Sequence, residues 1–250
     1  MALQLDSFID AVATLPSAQV RRYVDGLRAS HPDAGPQELI ALMKRRYLFA
    51  VSTSGGAVGA VAAFPVVGTG VALALTAGQV ATFVGASAAL CLAVADVHGI
   101  ATDDVARRRA LLLTTLLGEN GPELLEAQLG LSTATWAQVL LTRLPVATVK
   151  TVNKTLRGRM AKAVVTKGST VMLGRLMPFG IGAAIGFVGG RVMGKSLIEG
   201  LDAAFGPAPA HFLRSVEHSA PALQGTQEDL FADAARLAER ERPHSDGNLD

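Results

Sequence analysis

Hydrophobic and polar positions follow a helical period through most of the chain, and one long segment carries no charged side chain. From Tyr47 to Ala95 the sequence contains no Asp, Glu, Lys or Arg. The segment 64–70, with the sequence FPVVGTG, is the only strong break in this run, and its Pro and Gly residues are typical of a turn between helices. The pattern therefore predicts an apolar, Gly/Ala-rich helical hairpin over residues 47–95.

The remaining segments also place apolar side chains at helical spacing, and no segment shows the alternation of a strand. Pro, Gly and capping residues mark the predicted helix ends. These residues are Pro16, the connector 31–36, Asp103 with Asp104, Gly118, Pro122, Gly130, Ser132, Pro145 and, for a last helix over 227–242, Thr226. The predicted fold class is all-α, a helical bundle built around the apolar hairpin and a glycine-zipper helix.

Glycines recur at every fourth position late in the chain, and on a helix they would form one smooth ridge that another backbone can approach closely. They are Gly182, Gly186, Gly190 and Gly194. Gly55 and Gly59 repeat the spacing, which makes the first helix of the hairpin the predicted partner. A glycine inside a helix is about 0.5 to 1 kcal/mol less favourable than alanine, so the ridge needs close packing to offset this loss. A short flexible loop is the alternative.

The segment 189–196 reads GGRVMGKS and satisfies the phosphate-loop pattern G-x-x-x-x-G-K-S. A phosphate loop joins a buried strand to a helix, whereas the residues before this segment carry helical glycine spacing. No apolar strand that ends in Asp follows it to hold magnesium. The sequence therefore predicts a helix here and no nucleotide site.

Charge is segregated along the chain of 250 residues, although its formal net charge is only +2. No acid occurs between Glu126 and Glu199, where basic residues recur, and acids dominate from Pro207 onward. The single cysteine, Cys91, excludes a disulfide framework and a cysteine metal cluster. The mean hydropathy is +0.35, and the N-terminus lacks a basic region ahead of an apolar stretch, so an intracellular location is expected.

The stretch 146–167 is amphipathic, with Val149, Val152 and Leu156 on one face and basic residues on both flanks. The basic residues are Lys150, Lys154, Arg157, Arg159 and Lys162. This arrangement suits an anionic membrane surface, where each basic residue contributes about 1 kcal/mol. An ordinary helix with solvated charges is the alternative. Nucleic acid is not predicted, because aromatic residues do not interleave with the basic ones.

No catalytic residue, metal ligand or cofactor site is predicted. His98, His211 and His218 lack the company of other metal ligands, and the serines at 52 and 54 lack a nearby His or acid and a G-x-S-x-G elbow. Gln79 lies inside an apolar helix and needs either a hydrogen bond in the core or a functional contact.

The order of these features resembles the bacterial EcsC family over about residues 36–206. The resemblance rests on a basic helix that leads into Gly55 and Gly59, the Pro65 and Gly68 turn, the apolar helix with Gln79, the exit Asp96-Val97-His98-Gly99, and the late segment with Pro178, Gly182, Gly186, Gly190 and Arg191. His98-Gly99-Ile100 stands where the family has an aromatic-Gly-Val type of exit. The resemblance implies an α-helical, membrane-associated protein, in some cases linked to a transporter, and it supplies no active site.

The predicted organisation has three parts: N-terminal amphipathic helices at 1–35, a helical core at 36–206, and an acidic C-terminal helix with a tail at 207–250. The predicted function is a membrane-associated protein of the cytoplasmic face with a structural or accessory role and anionic lipid as its partner; a protein partner or a second copy stays open. Membrane insertion of the first hairpin helix is marginal. Its Leu, Phe and Val residues favour insertion by about −2 to −4 kcal/mol, and its Gly, Ser and Thr residues oppose it. A soluble cytoplasmic all-α interaction module with a buried hairpin is the main alternative, and an unrecognised hydrolase is the second.

Overall fold

The structure, a computed structural model, describes residues 2–62, 69–100, 103–118, 120–129, 136–159 and 181–214. Within these ranges it is all-α, with nine helices and no strand. The helices are α1 (Ala2–Ala13), α2 (Ser17–Ser30), α3 (Pro36–Ala62), α4 (Thr69–Val97), α5 (Val105–Leu116), α6 (Asn120–Leu129), α7 (Trp136–Thr142), α8 (helical over residues 146–159) and α9 (Ile181–Phe205).

Helix ends fall at capping and breaking residues of the sequence. Pro36 is the first residue of α3. The side chain of Asp104 caps α5 by accepting a hydrogen bond of 3.0 Å from the backbone N–H of Arg107. Gly99 and Gly118 follow α4 and α5 with φ angles of 68° and 61°, a conformation that glycine adopts without steric strain. One start differs from the prediction, since α6 already begins at Asn120, ahead of Pro122.

Helix α4 lies at the centre of the described core. It packs against α1, α2, α3 and α5, and every residue from 84 to 97 is buried. Its side chains are small, mostly Ala and Leu with Ser87 and Cys91, so neighbouring helices approach it from all sides. Tyr47 of α3 joins this core through a buried hydrogen bond of 3.0 Å between its hydroxyl and that of Ser87.

One stretch in the described part of the chain, Gly78–Val97 within α4, is long and apolar enough to cross a membrane, with a mean hydropathy of 2.0. Of the most apolar part of that stretch, 83% is buried inside the protein. A helix that is apolar on all sides is typical of either a membrane span or a protein core. Here the neighbouring helices already cover it.

The two N-terminal helices share the same core as the rest of the protein. Phe8 and Val12 of α1 and Val24 of α2 are buried, and α1 packs against both α4 and α5. Five of the predicted features lie outside the described residues: the turn residues 63–68, the helix end at Gly130, the cap at Ser132, the segment 160–180 with Lys162 and Pro178, and the last helix over 227–242 with its tail.

Candidate functional site

The most extensive contact between helices in the described structure joins α3 to α9, and two glycines lie at a point of close approach. A Cβ atom built on Gly186 would lie 2.1 Å from the carbonyl oxygen of Gly55, and one built on Gly55 would lie 2.4 Å from the carbonyl oxygen of Gly186. Such distances are far below any van der Waals contact. The two backbones therefore touch directly, and only glycine fits at either position.

The contact continues along both helices. A Cβ on Gly190 would lie 2.4 Å from the carbonyl oxygen of Val51, and one on Gly194 would lie 2.9 Å from side-chain atoms of Leu48 and Val51. Residue numbers fall along α3 as they rise along α9, so the two helices run antiparallel. Gly59 and Gly182 extend the pattern in sequence, but their surroundings lie outside the described residues.

The segment 189–196, which satisfies the phosphate-loop pattern, lies entirely within α9. A phosphate loop needs its backbone N–H groups free to face the phosphates, whereas an α-helix uses them in its own hydrogen bonds. Lys195 is exposed on this helix and Ser196 lies close to Gly118 at the end of α5.

Helix α8 turns its apolar face toward the protein. Val149, Val152 and Leu156 are 0%, 1% and 1% exposed. Asn153, on the same face, donates a hydrogen bond of 2.9 Å from Nδ2 to the carbonyl oxygen of Ala106 on α5. The described part of this face is therefore a packing surface of the bundle and does not remain available for lipid.

The basic residues of α8 divide into two groups. Lys150, Lys154 and Arg159 are exposed, and within the described ranges none of them has a carboxylate within 4 Å. Arg157 instead lies 3.4 Å from Oδ2 of Asp10 on α1, so it helps to hold α8 against α1. Lys162 lies outside the described residues.

Three consecutive arginines at the start of α5 form a cluster that local sequence patterns do not reveal. Arg107 donates hydrogen bonds of 2.7 Å to the carbonyl oxygen of Leu141 and of 2.9 Å to that of Leu144. Leu141 is in the last turn of α7, where backbone acceptors lack partners within the helix, and Leu144 lies two residues beyond the helix end. Arg109 forms an ion pair with Asp10, the same carboxylate that Arg157 contacts.

Arg108 is the most buried member of this cluster, at 4% exposure. It donates to the carbonyl oxygens of Leu15 at 2.6 Å and Ala13 at 3.3 Å, to Oδ1 of Asp103 at 3.0 Å, and to the hydroxyl of Ser17. Burial lowers the pKa of Arg108, and the charge of Asp103 opposes that effect. One guanidinium thus fixes the turn between α1 and α2 against α5.

A second guanidinium, that of Arg214, joins two carboxylates from different helices. It donates at 2.8 and 3.1 Å to Asp25 on α2 and at 3.0 Å to Asp96 at the end of α4. Hydrogen bonds, first of all those to Asp25, raise the pKa of Arg214. Phe212, in the same segment as Arg214, has the guanidinium of Arg28 on α2 at 4.0 Å from its ring centroid. Residues 206–214 therefore form a strap across α2 and α4.

A small cleft of about 20 Å³ lies between these two arginine sites, lined by Ser17, Asp96, Ile100 and Arg108 among others. Its volume is that of about one water molecule. The cleft is too small for a substrate, so the polar groups around it are best explained by a structural role.

The chemistry of the described residues gives no catalytic constellation. Within the described ranges no group of three or more His, Cys, Asp or Glu side chains is placed to hold a metal ion. Cys91 is fully buried beside Thr115, the ring of His98 packs 5.1 Å from that of Phe205, and the Ser52 hydroxyl donates to a carbonyl oxygen of its own helix. Oε1 of Gln79 is buried with no hydrogen-bond donor in the described part of the chain.

No protein-family model, curated protein or solved structure matches this chain. The resemblance to the EcsC family stays a prediction from the residues quoted for it.

Proposed function

We propose that this protein is a helical protein of the cytoplasmic membrane face with a structural or accessory role, linked to transport as the EcsC resemblance implies. The observation that carries the proposal is the set of exposed basic side chains on α8, Lys150, Lys154 and Arg159, which have no carboxylate partner among the described residues. Cations that have no carboxylate partner among the described residues can interact with anionic headgroups.

The strength of the electrostatic attraction determines whether the protein also needs an apolar contact with the membrane. Each basic side chain near an anionic leaflet contributes about 1 kcal/mol, so the three exposed residues supply about 3 kcal/mol. Salt at physiological concentration screens such charges over about 8 Å. Electrostatic attraction alone therefore gives weak, reversible and salt-sensitive binding, and firm association needs an apolar contribution as well.

The arrangement of α4 favours a position on the membrane surface over a span. Its apolar residues from 84 to 97 are buried by helices of the same protein, and exposing them to lipid would require those helices to separate. In this proposal α4 remains inside the protein and the membrane contacts the exposed surface.

A soluble interaction module is the second candidate function, and the burial of α4 favours it directly. In that case the hairpin serves only as the core, and the exposed lysines of α8 face water or an acidic protein. Binding to vesicles separates the two candidates, because a soluble module does not bind lipid.

Flotation of the full-length chain with phosphatidylcholine vesicles, with and without phosphatidylglycerol, tests the proposal. We expect flotation with the anionic vesicles that weakens as salt rises. Lys150→Glu with Lys154→Glu should reduce it roughly tenfold or more, since each basic residue is worth about 1 kcal/mol. The matched control is Arg21→Glu with Arg22→Glu, which makes the same change of net charge at exposed positions of α2. Equal flotation with both kinds of vesicle, or with neither, contradicts the electrostatic proposal.

A further inference from the structure

Helix α9 contacts α3 through a narrow ridge, and none of the other described helices covers its opposite side. The ridge consists of Gly186, Gly190 and Gly194, which share one face because successive helical residues are about 100° apart. The same geometry places residues 188, 191, 192 and 195 on the side that points away from α3. We define these four residues, Val188, Arg191, Val192 and Lys195, as the α9 outer face.

All four side chains of the α9 outer face are exposed. Val188 is 57% and Val192 is 61% exposed, and Arg191 and Lys195 are also exposed. At the edges of this face, beside the ridge, Phe187 and Met193 are 39% and 52% exposed. A single exposed apolar residue needs no explanation, but here apolar side chains occupy successive turns of one helix.

The charges on this part of α9 are all of one sign. From Ile181 to Lys195 the helix contains Arg191 and Lys195 and no acid, and Glu199 is the first carboxylate. Basic side chains that alternate with apolar ones are typical of helices that lie in a membrane interface. Their aliphatic stems follow the apolar surface while the cationic groups reach the lipid phosphates.

We propose that the α9 outer face rests on an anionic lipid surface, with Val188 and Val192 at the boundary between headgroups and acyl chains and with Arg191 and Lys195 bound to lipid phosphates. This inference rests on the proposed membrane association and names the surface that supplies its apolar part. Lys195, which the phosphate-loop pattern would assign to a nucleotide, binds a headgroup phosphate instead.

Charge complementarity favours lipid over a second copy of the chain as the occupant of this face. Two copies packed through the same four residues would bring Arg191 and Lys195 of both together, with no carboxylate of the face to neutralise them. Like charges placed opposite each other at an interface oppose association. An anionic bilayer neutralises all of them.

Vesicle flotation of full-length variants tests the inference. Val188→Ser with Val192→Ser should lower binding to both anionic and neutral vesicles, roughly tenfold for anionic ones, since it removes apolar area that enters the interface. Arg191→Glu with Lys195→Glu should lower binding to anionic vesicles by a similar factor and leave neutral vesicles almost unaffected. The matched control is Val105→Ser, because Val105 is 43% exposed on α5, away from this face, and its loss should change nothing.

The outcomes separate the inference from the proposed function. If the wild-type chain floats and both double variants float equally well, the α9 outer face is not the lipid contact, although membrane association stands. If the wild-type chain floats with neither vesicle, the proposed function fails and the inference with it. Sedimentation equilibrium adds a third result: self-association that Val188→Ser with Val192→Ser abolishes, with unchanged flotation, would assign the face to a second copy and overturn the inference.

Discussion

Asp96 and Arg214 form a hydrogen-bonded ion pair across 118 positions of the sequence, with 3.0 Å between Nη2 of Arg214 and Oδ2 of Asp96. Asp96 is only 7% exposed at the end of α4, whereas the Arg214 side chain is 27% exposed. The same guanidinium also bonds Asp25 of α2. The pair therefore ties the C-terminal strap 206–214 to the end of the core helix and to the N-terminal part of the chain.

Replacement of Arg214 should destabilise the protein, because it leaves the carboxylate of Asp96 buried without its cation. For Arg214→Met we expect a loss of about 2 to 3 kcal/mol in the free energy of unfolding, below the value for a fully buried pair because solvent screens Arg214. Adding Asp96→Asn should recover part of the loss, since a neutral amide is easier to bury. Urea unfolding measures the stability of the single and the double variant, with Arg143→Met at an exposed position as the control. Equal stability of Arg214→Met and this control would mean that the ion pair with Asp96 does not stabilise the protein.

Neighbouring glycines of α9 should respond in opposite directions to the same substitution. Gly190→Ala places a Cβ 2.4 Å from the carbonyl oxygen of Val51, so we expect a loss of about 1 to 3 kcal/mol as α3 and α9 move apart. Gly189→Ala meets nothing within 4 Å and should stabilise the helix by about 0.5 to 1 kcal/mol. Thermal melts of the two variants test this, and equal melting temperatures would mean that the α3–α9 contact is not as close as described.

Replacement of Arg108 by lysine should destabilise the protein, although the positive charge is kept. Its planar guanidinium reaches the carbonyl oxygens of Ala13 and Leu15 and the carboxylate of Asp103 together, and a lysine ammonium cannot span these acceptors. We expect Arg108→Lys to lower the free energy of unfolding by about 2 kcal/mol, with faster amide hydrogen exchange at the end of α1. Arg22→Lys, at an exposed site on α2, is the control, and wild-type stability for Arg108→Lys would show that these hydrogen bonds contribute little.

The stability of the protein should decrease as the solution is acidified from neutral pH, and His98 should contribute to that decrease. Burial, followed by the nearby charge of Lys44, lowers the pKa of His98 in the folded protein. Between that lowered pKa and about 6.5, the unfolded chain binds more protons than the folded one, so stability rises with pH in this window. His98→Gln should flatten the slope of unfolding free energy against pH, measured above about pH 5 to avoid carboxylate titration. His31→Gln is the control. An unchanged slope in His98→Gln would mean that His98 does not contribute to the pH dependence of stability.

The local elements of the fold were largely readable from the sequence. The φ angles of Gly99 and Gly118 and the start of α3 at Pro36 follow from residue types whose backbone preferences act over one or two positions. The uninterrupted apolar run similarly predicted two long helices with a break near residue 65, and α3 and α4 lie on either side of it.

The sequence did not show whether an apolar helix face packs against protein or against lipid. The helical period placed Val149, Val152 and Leu156 on one face of α8, but a face packed against protein and a face packed against lipid have the same period. The structure turns these side chains into the core, and Arg157 beside them pairs with Asp10. Likewise, the composition of α4 fits a membrane span and a core helix equally well.

The arginine sites were missed because their partners are distant in sequence. Arg108 contacts carbonyl oxygens 93 and 95 positions away, and backbone carbonyls carry no residue-specific signal. The basic run at Arg107 to Arg109 next to Asp103 and Asp104 was the one available hint, since three consecutive arginines at the start of a leucine-rich helix cannot all face the same direction.

Alkaline carbonate extraction of membranes from cells that produce the full-length chain is the most direct test of a protein that lies on the membrane surface with α4 inside its own core. We expect the chain to be present in the membrane fraction before extraction and to appear in the supernatant after it, as a protein held by charges and a shallow apolar contact does. Retention in the membrane pellet would mean that the hairpin is inserted in the bilayer, and absence from the membrane fraction before extraction would mean that the protein is soluble; either result would contradict the proposal.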